Sequence, residues 1–201
     1  MVKRGGRTVI AKLGLSVAAG EVVGIVGKNG CGKSTLLMAI AGVLAPTEGR
    51  ISICGANVWG SGRQRRESRR ELGYVPENAD PPGFLLGGEL WAMCAASRGV
   101  AGPSEVLIAA MGLDELRDVA LERMSLGQRR RACIAAALLG PPKLLVLDEP
   151  DNGLDAKRMT ALGELILGHC AGGAGAENNS AIVATHDRDL LTRIAARIVE
   201  I

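Results

Sequence analysis

The sequence predicts an α/β fold built on a mostly parallel sheet. Three observations carry this. Short apolar, β-branched runs alternate with longer helical stretches through most of the 201 residues. The runs are apolar almost without a break, as suits strands buried on both faces. A glycine-rich segment, Gly27 to Ser34, joins the first of these strands to the first helix.

Taken in order, Val22–Val26 reads as a strand, residues 34–44 as a helix and residues 51–53 as a further core strand. Residues 63–70 contain five arginines and read as a solvated helix face leading into the strand Leu72–Val75. Between about residues 83 and 124 no strand pattern is visible. Helical stretches at 90–97, 104–111 and 113–120 are punctuated by Gly87-Gly88, Gly99, Gly102-Pro103 and Gly112. This predicts a small helical subdomain inserted into the core. The alternation then resumes with a helix at 126–139, a strand at 144–147, a helix at 156–167, a surface loop at 172–180, a strand at 181–184 and a helix at 188–195.

Composition narrows the function. The length suits one domain, and 47% hydrophobic with 22% charged residues is ordinary for a folded domain. The longest uncharged stretch, residues 34–47, has 14 residues and contains Gly42 and Pro46, too short for a membrane span of about 20. No apolar segment follows the charged start, so no secretory signal is expected. Five cysteines without a CxxC pair suggest neither a disulfide framework nor a zinc site, and a reducing cytoplasm is expected. Net charge is +3 and the only aromatics are Trp59, Tyr74, Phe84 and Trp91, so no nucleic-acid partner is expected.

Three motifs carry chemistry. Gly27-Lys28-Asn29-Gly30-Cys31-Gly32-Lys33-Ser34 fits G-x-x-x-x-G-K-[ST], a P-loop, with a strand before it and a helix after it. Its backbone N–H groups and helix start suit phosphate. Lys33 would reach the β/γ-phosphates and the Ser34 hydroxyl would ligate Mg²⁺, with Thr35 completing the ATP-binding set. Cys31 reads as a small residue that fits this loop, with a thiol that serves as a probe. The second motif is an apolar strand that ends in Asp148-Glu149, delivering two carboxylates to the sheet edge: Asp148 for Mg²⁺ and Glu149 as general base. The third is Ser125, an N-cap, with Leu126, Gly127 and Gln128. Arg129, Arg130 and Arg131 follow, oppose the helix dipole and point to a polyanion.

At this point the chain resembles the ATP-binding-cassette (ABC) ATPases. Ser125 to Gln128 looks like their signature motif, Asn152-Gly153-Leu154-Asp155 like their D-loop and His186 like their switch histidine, while Gly73-Tyr74-Val75-Pro76-Glu77 occupies the Q-loop position. The resemblance covers about residues 5 to 201. It implies a P-loop NTPase core with a mostly parallel sheet, an N-terminal antiparallel β part and the inserted helical subdomain, all within one nucleotide-binding domain, 1–201. It also implies that two domains close head to tail around two ATP molecules. Ser125, Gly127 and Gln128 of one chain would then meet the γ-phosphate held by Lys33 of the other, Asp155 would communicate across the seam, and His186 would hold the γ-phosphate and the attacking water.

The Tyr-Val-Pro-Glu form at residues 74–77 is similar to ATPase subunits of ABC-2-type exporters. The expected function is therefore hydrolysis of ATP to power a separate integral-membrane permease from the inner face of the membrane. Phe84, Leu85, Leu86 and Trp91 are the docking candidates, with packing inside the helical subdomain as the alternative for each. A homodimer is expected. Two departures stand out. Glu77 replaces the usual glutamine and would serve as a third Mg²⁺ ligand. No aromatic precedes Trp59 to stack on adenine; either Arg4 stacks there or the native chain starts further upstream. Glu77 and the missing aromatic also leave room for an alternative, a soluble or regulatory ATPase of low turnover without a permease.

Overall fold

A computed structural model describes residues 1–4, 7–172 and 178–201, without the side chains of residues 3, 4 and 7. Arg4 as an adenine platform, and most of the loop expected at 172–180, lie outside the described part. The N-terminal strands β1 (Val2–Arg4) and β2 (Arg7–Ile10) pair antiparallel. Strand β3 (Val22–Val26) leads through the glycine-rich loop into helix α1 (Lys33–Ile40). The helix stops short of residue 44 because Gly42 turns left-handed, at φ 72°.

Strands β4 (Ser52–Ile53) and β5 (Ala56–Asn57) correct one expectation. Residues 51–53 do not join the parallel sheet. Cys54 and Gly55 both have positive φ, 47° and 79°, the turn geometry that folds a chain back on itself as a two-residue hairpin. Helix α2 (Gly62–Arg70) starts at a reciprocal cap between Ser61 and Gln64 and leads to β6 (Leu72–Val75).

The segment after β6 carries α3 (Gly87–Arg98), α4 (Glu105–Met111) and α5 (Leu126–Leu138). Its extended pairing, among the described residues, is a single bridge between Leu86 and Ala120. Residues 113–120 do not form the expected helix but a 3-10 turn at Asp114–Leu116, and a second such turn follows at Leu121–Arg123. The carbonyls of Arg117 and Val119 accept instead from the N–H groups of Gly88 and Gly87, at 2.8 and 3.1 Å. Those glycines therefore begin α3 rather than interrupt it: Gly87 packs on the Leu116 carbonyl, where a β-carbon has no room.

The chain then forms β7 (Leu144–Asp148), α6 (Ala156–Ala171), β8 (Ser180–Ala184), α7 (Arg188–Arg193) and β9 (Arg197–Glu200). The main sheet has the order β6-β7-β8-β3-β9, parallel throughout. Side chains alternate across it. Leu145 and Leu147 of β7 pack with Ile134 of α5 and Leu162 and Ile166 of α6, whereas Val146 packs with Ile25, Leu37 and Ile40 on the α1 side. Each fully buried aliphatic side chain contributes about 1.5–3 kcal/mol, so the two layers fix the strand ends that carry the site. Strand β9 escapes sequence reading because Arg197 and Glu200 bound it and most of it is exposed at the sheet edge.

Candidate active site

Parallel register brings three strand ends together. Ala184 of β8 lies opposite both Ile25 of β3 and Asp148 of β7. The residues that follow these strands, Gly27 to Ser34, Glu149 and Thr185-His186, therefore meet at one edge, where open α/β sheets bind ligands.

Lys33 is almost fully buried. Its ammonium donates to the Gly27 carbonyl at 3.2 Å and to Nε2 of His186 at 3.0 Å, and lies 3.9 Å from Oε1 of Glu149. The same Nε2 is 3.3 Å from Glu149 Oε1, and the His186 N–H donates to Glu149 Oε2 at 3.3 Å. Lysine, carboxylate and imidazole thus form one cluster. Glu149 stands at φ 47°, which costs a side-chain-bearing residue about 1–2 kcal/mol. Its N–H donates to the Ala184 carbonyl at 2.7 Å, which holds it there. Burial pushes its carboxyl pKa up; His186 and Lys33 pull it down, and Asp151 adds to the rise.

In the loop, Lys28, Asn29 and Gly30 are exposed, and Gly32 stands at φ 114° beneath Val9 and Ile10 of β2. Gly27 packs against Cys31 Sγ and the Ile201 carbonyl, leaving no room for a β-carbon. Cys31 is therefore half-buried inside the loop. Ser34 and Thr35 open α1.

Asp148 is 1% exposed and its Oδ1 has no partner. The Ser34 side chain and the Glu77 backbone lie near enough to this carboxylate to favour its charged form. Burial raises its pKa, partly offset by the neighbouring Ser34 side chain. Tyr74 also buries an unpartnered hydroxyl, whose pKa is pushed up by burial and then by Asp148. A raised carboxyl pKa means the folded state binds the proton more tightly than the unfolded state. Stability then falls as pH rises through the window above the ordinary aspartate value. Asp148→Asn should accordingly raise the thermal midpoint of the nucleotide-free protein at neutral pH, with the gain shrinking toward pH 4. Calorimetry across pH checks this; a lower midpoint at pH 7 contradicts it.

No described hydrogen bond joins the signature residues to this cluster. Ser125 and Gln128 cap each other, Gln128 N–H to Ser125 Oγ at 3.3 Å and Ser125 N–H to Gln128 Oε1 at 2.8 Å. Gly127 packs on the Gly153 carbonyl, again without room for a β-carbon. Asp155 caps α6, accepting from the Arg158 N–H at 2.8 Å. The three arginines correct a further expectation. Arg130 and Arg131 are buried, and with Arg129 they donate to backbone carbonyls of this chain, so they do not present a basic face to a polyanion.

The family profile described as "ABC transporter" matches residues 10–152. The chain belongs to the ABC transporter family. Among its relatives, the cobalt import ATP-binding protein CbiO of Rhodobacter capsulatus is 34% identical over 96% of this chain and 70% of its own length. The Nod factor export ATP-binding protein I of Paraburkholderia xenovorans is 32% identical over 96% of this chain and 63% of its own length, so the chain spans less than two thirds of that relative. A solved structure titled "Structure of ATP binding subunit of ABC transporter" superposes with a TM-score of 0.86 at 27% identity, covering 98% of this chain and 81% of the other.

In this ABC ATP-binding subunit, the Lys33 ammonium and the glycine-rich loop lie together at the sheet edge, chemistry that suits phosphate. The donor set also fits Mg²⁺ held jointly with a nucleotide. Asp148 offers a free buried oxygen beside the Ser34 hydroxyl, and no cluster of three or more His, Cys, Asp or Glu gathers a metal by itself among the described residues. The Glu77 carboxylate is exposed, near enough to raise the Asp148 pKa through charge. Trp91 is another correction. It is 2% exposed and its Nε1 donates to the Ala132 carbonyl at 3.0 Å, so it belongs to the α3–α5 core and is not a docking residue. Leu85 and Leu86 are half-buried and Phe84 is exposed.

Sequence reading missed Asp151, which accepts from Thr185 Oγ1 at 2.6 Å and ties the loop after β7 to the end of β8. It also missed the internal role of Arg130. Neither has a sequence signal: one reads as a loop acid, the other as a surface charge.

Proposed function

We propose that residues 1–201 form one nucleotide-binding domain, with the helical segment at about 83–124 inserted in it, and that the domain hydrolyses ATP in sites completed by a second copy. The convergence of Lys33, Glu149 and His186 within 4 Å supports this most directly. Lys33 and the loop residues Gly27, Lys28, Asn29, Gly30, Cys31, Gly32, Ser34 and Thr35 bind the phosphates. Glu149, with its raised pKa, takes the proton of the attacking water. His186 orients the γ-phosphate and that water. Ser34, Asp148 and Glu77 hold Mg²⁺, which when bound withdraws charge from phosphate oxygens. Ser125, Gly127 and Gln128 serve the partner's nucleotide. The described hydrogen bonds support this, since none joins these residues to the cluster of their own chain. Phosphate release from ATP by the purified chain tests the reading: Mg²⁺-dependent turnover is expected, and none at saturating Mg-ATP would overturn it.

The domain works at the inner face of the membrane against a separate integral-membrane permease. No described helix is long and apolar enough to cross a membrane, and exposed Phe84, with half-buried Leu85 and Leu86, is kept as the docking candidate. Export is the direction we infer, from the Tyr74-Val75-Pro76-Glu77 form. The relatives' names point both ways, one to cobalt import and one to Nod factor export. ATP-driven uptake into inside-out vesicles holding the subunit and its permease tests this; uptake only in the opposite orientation would reverse it.

The charge of Glu77 beside Asp148 favours a second reading, a regulatory ATPase of low turnover. If Glu77 is a working ligand, Glu77→Gln keeps the oxygen and should leave turnover within a few-fold, while Glu77→Ala should lower it much further. A Glu77→Gln variant faster by orders of magnitude would make the glutamate a brake.

A further inference from the structure

We propose that Arg130 is a positioning residue for the metal–nucleotide site. It sits on α5, five residues after the Ser125 cap, and is 3% exposed. Its guanidinium has no carboxylate bonded to it in the described hydrogen bonds. Instead Nη1 donates to the Pro76 carbonyl at 2.8 Å and to the Asp148 carbonyl at 3.4 Å, and Nη2 donates to the Glu77 carbonyl.

These acceptors belong to two chain segments, one leaving β6 and one at the end of β7. The strands are neighbours in the sheet, with Val75 opposite Leu147. A planar fork with several fixed donors can join both segments at once, which a single ammonium does poorly. The joined residues are the ones that matter: Asp148 carries the free buried oxygen, and Glu77 lies close enough to act on the same carboxylate through its charge. Arg130 thus locks the metal-side carboxylate to the helix that starts at Ser125, so the signature helix and this carboxylate move as one body. Partners one step removed from a ligand commonly control metal affinity about 10–100-fold.

Arg131 supplies the internal control. It is also buried on α5, but it donates to the carbonyls of Met111 and Gly112 at the end of α4, at 2.6 and 3.0 Å, and to Glu115 in the 3-10 turn that follows, at 2.7 Å. Its loss weakens packing without touching either strand end.

The inference rests on the nucleotide reading above, and a binding measurement separates the two. The affinity of the full chain for AMP-PNP is measured by calorimetry with Mg²⁺ and with EDTA, and the ratio gives the gain due to metal. Wild type should show a clear gain; if it shows none, the nucleotide reading of the site fails. Arg130→Met should reduce the gain by about tenfold or more, while Arg131→Met should keep it within about twofold even at a similar loss of thermal midpoint. Should Arg130→Met not fold, Arg130→Gln, which keeps part of the donor set, is measured in its place and a reduced gain is again expected. A wild-type gain in the Arg130 variant measured, or an equal loss in Arg131→Met, overturns the proposal.

Discussion

Glu149→Gln is expected to lower ATP turnover by about 10²–10⁴-fold while leaving Mg-ATP affinity within about twofold. Glutamine matches glutamate in shape and keeps an oxygen to accept the His186 N–H, now 3.3 Å away. It cannot take a proton from water. The substitution also removes a charge whose burial is unfavourable, so the fold should not weaken. With hydrolysis blocked, ATP should accumulate in the closed state, and size exclusion should show an ATP-dependent dimer. A variant that turns over at the wild-type rate would mean that Glu149 is not the base.

Lys33→Ala should have the largest effect on binding. The ammonium is the cation at the centre of the cluster, bonded to the Gly27 carbonyl and to His186. Removing it withdraws the positive charge aimed at the phosphates and takes away one of the groups that hold the Glu149 pKa down. ATP affinity should fall at least about tenfold, or about 1.4 kcal/mol, with turnover lost as well. Lys33→Arg should not restore it, because the site is closed around a compact ammonium and a guanidinium is broader. Calorimetric titration with ATP checks both variants; unchanged affinity in Lys33→Ala would contradict the phosphate-site assignment.

Much of the core was legible because its signals are local. Strand β7 is an uninterrupted apolar run ending in two acids, and it occurs at the predicted residues. The loop from Gly27 to Ser34 carries its own spacing, and register alone then brings Lys33, Glu149 and His186 together. Where reading failed, a distant partner or a backbone angle decided the structure. Nothing near residues 51–53 announces that Cys54 will take positive φ and fold the chain back. Residues 113–120 look helical, but their carbonyls are taken by the N–H groups of Gly87 and Gly88. Trp91 looked available for docking because only the fold shows α5 behind it. The arginines after Gln128 looked like a basic surface because sequence cannot show carbonyls converging from residues 76, 77 and 148.

In the proposed dimer, Lys33 of one copy and Gly127 of another complete each ATP site. Mixing two inactive variants tests it most directly. Lys33→Ala removes the phosphate side, and Gly127→Asp puts a side chain where the Gly153 carbonyl leaves no room and charge repels phosphate. Mixed in equal amounts, half of the dimers should be hybrids, each with one intact site and one doubly defective site. ATPase activity should therefore recover to about a quarter of wild type if the sites act independently, from two preparations that are each inactive. A mixture that stays as inactive as its components, with exchange into hybrid dimers verified, would contradict a site shared between copies.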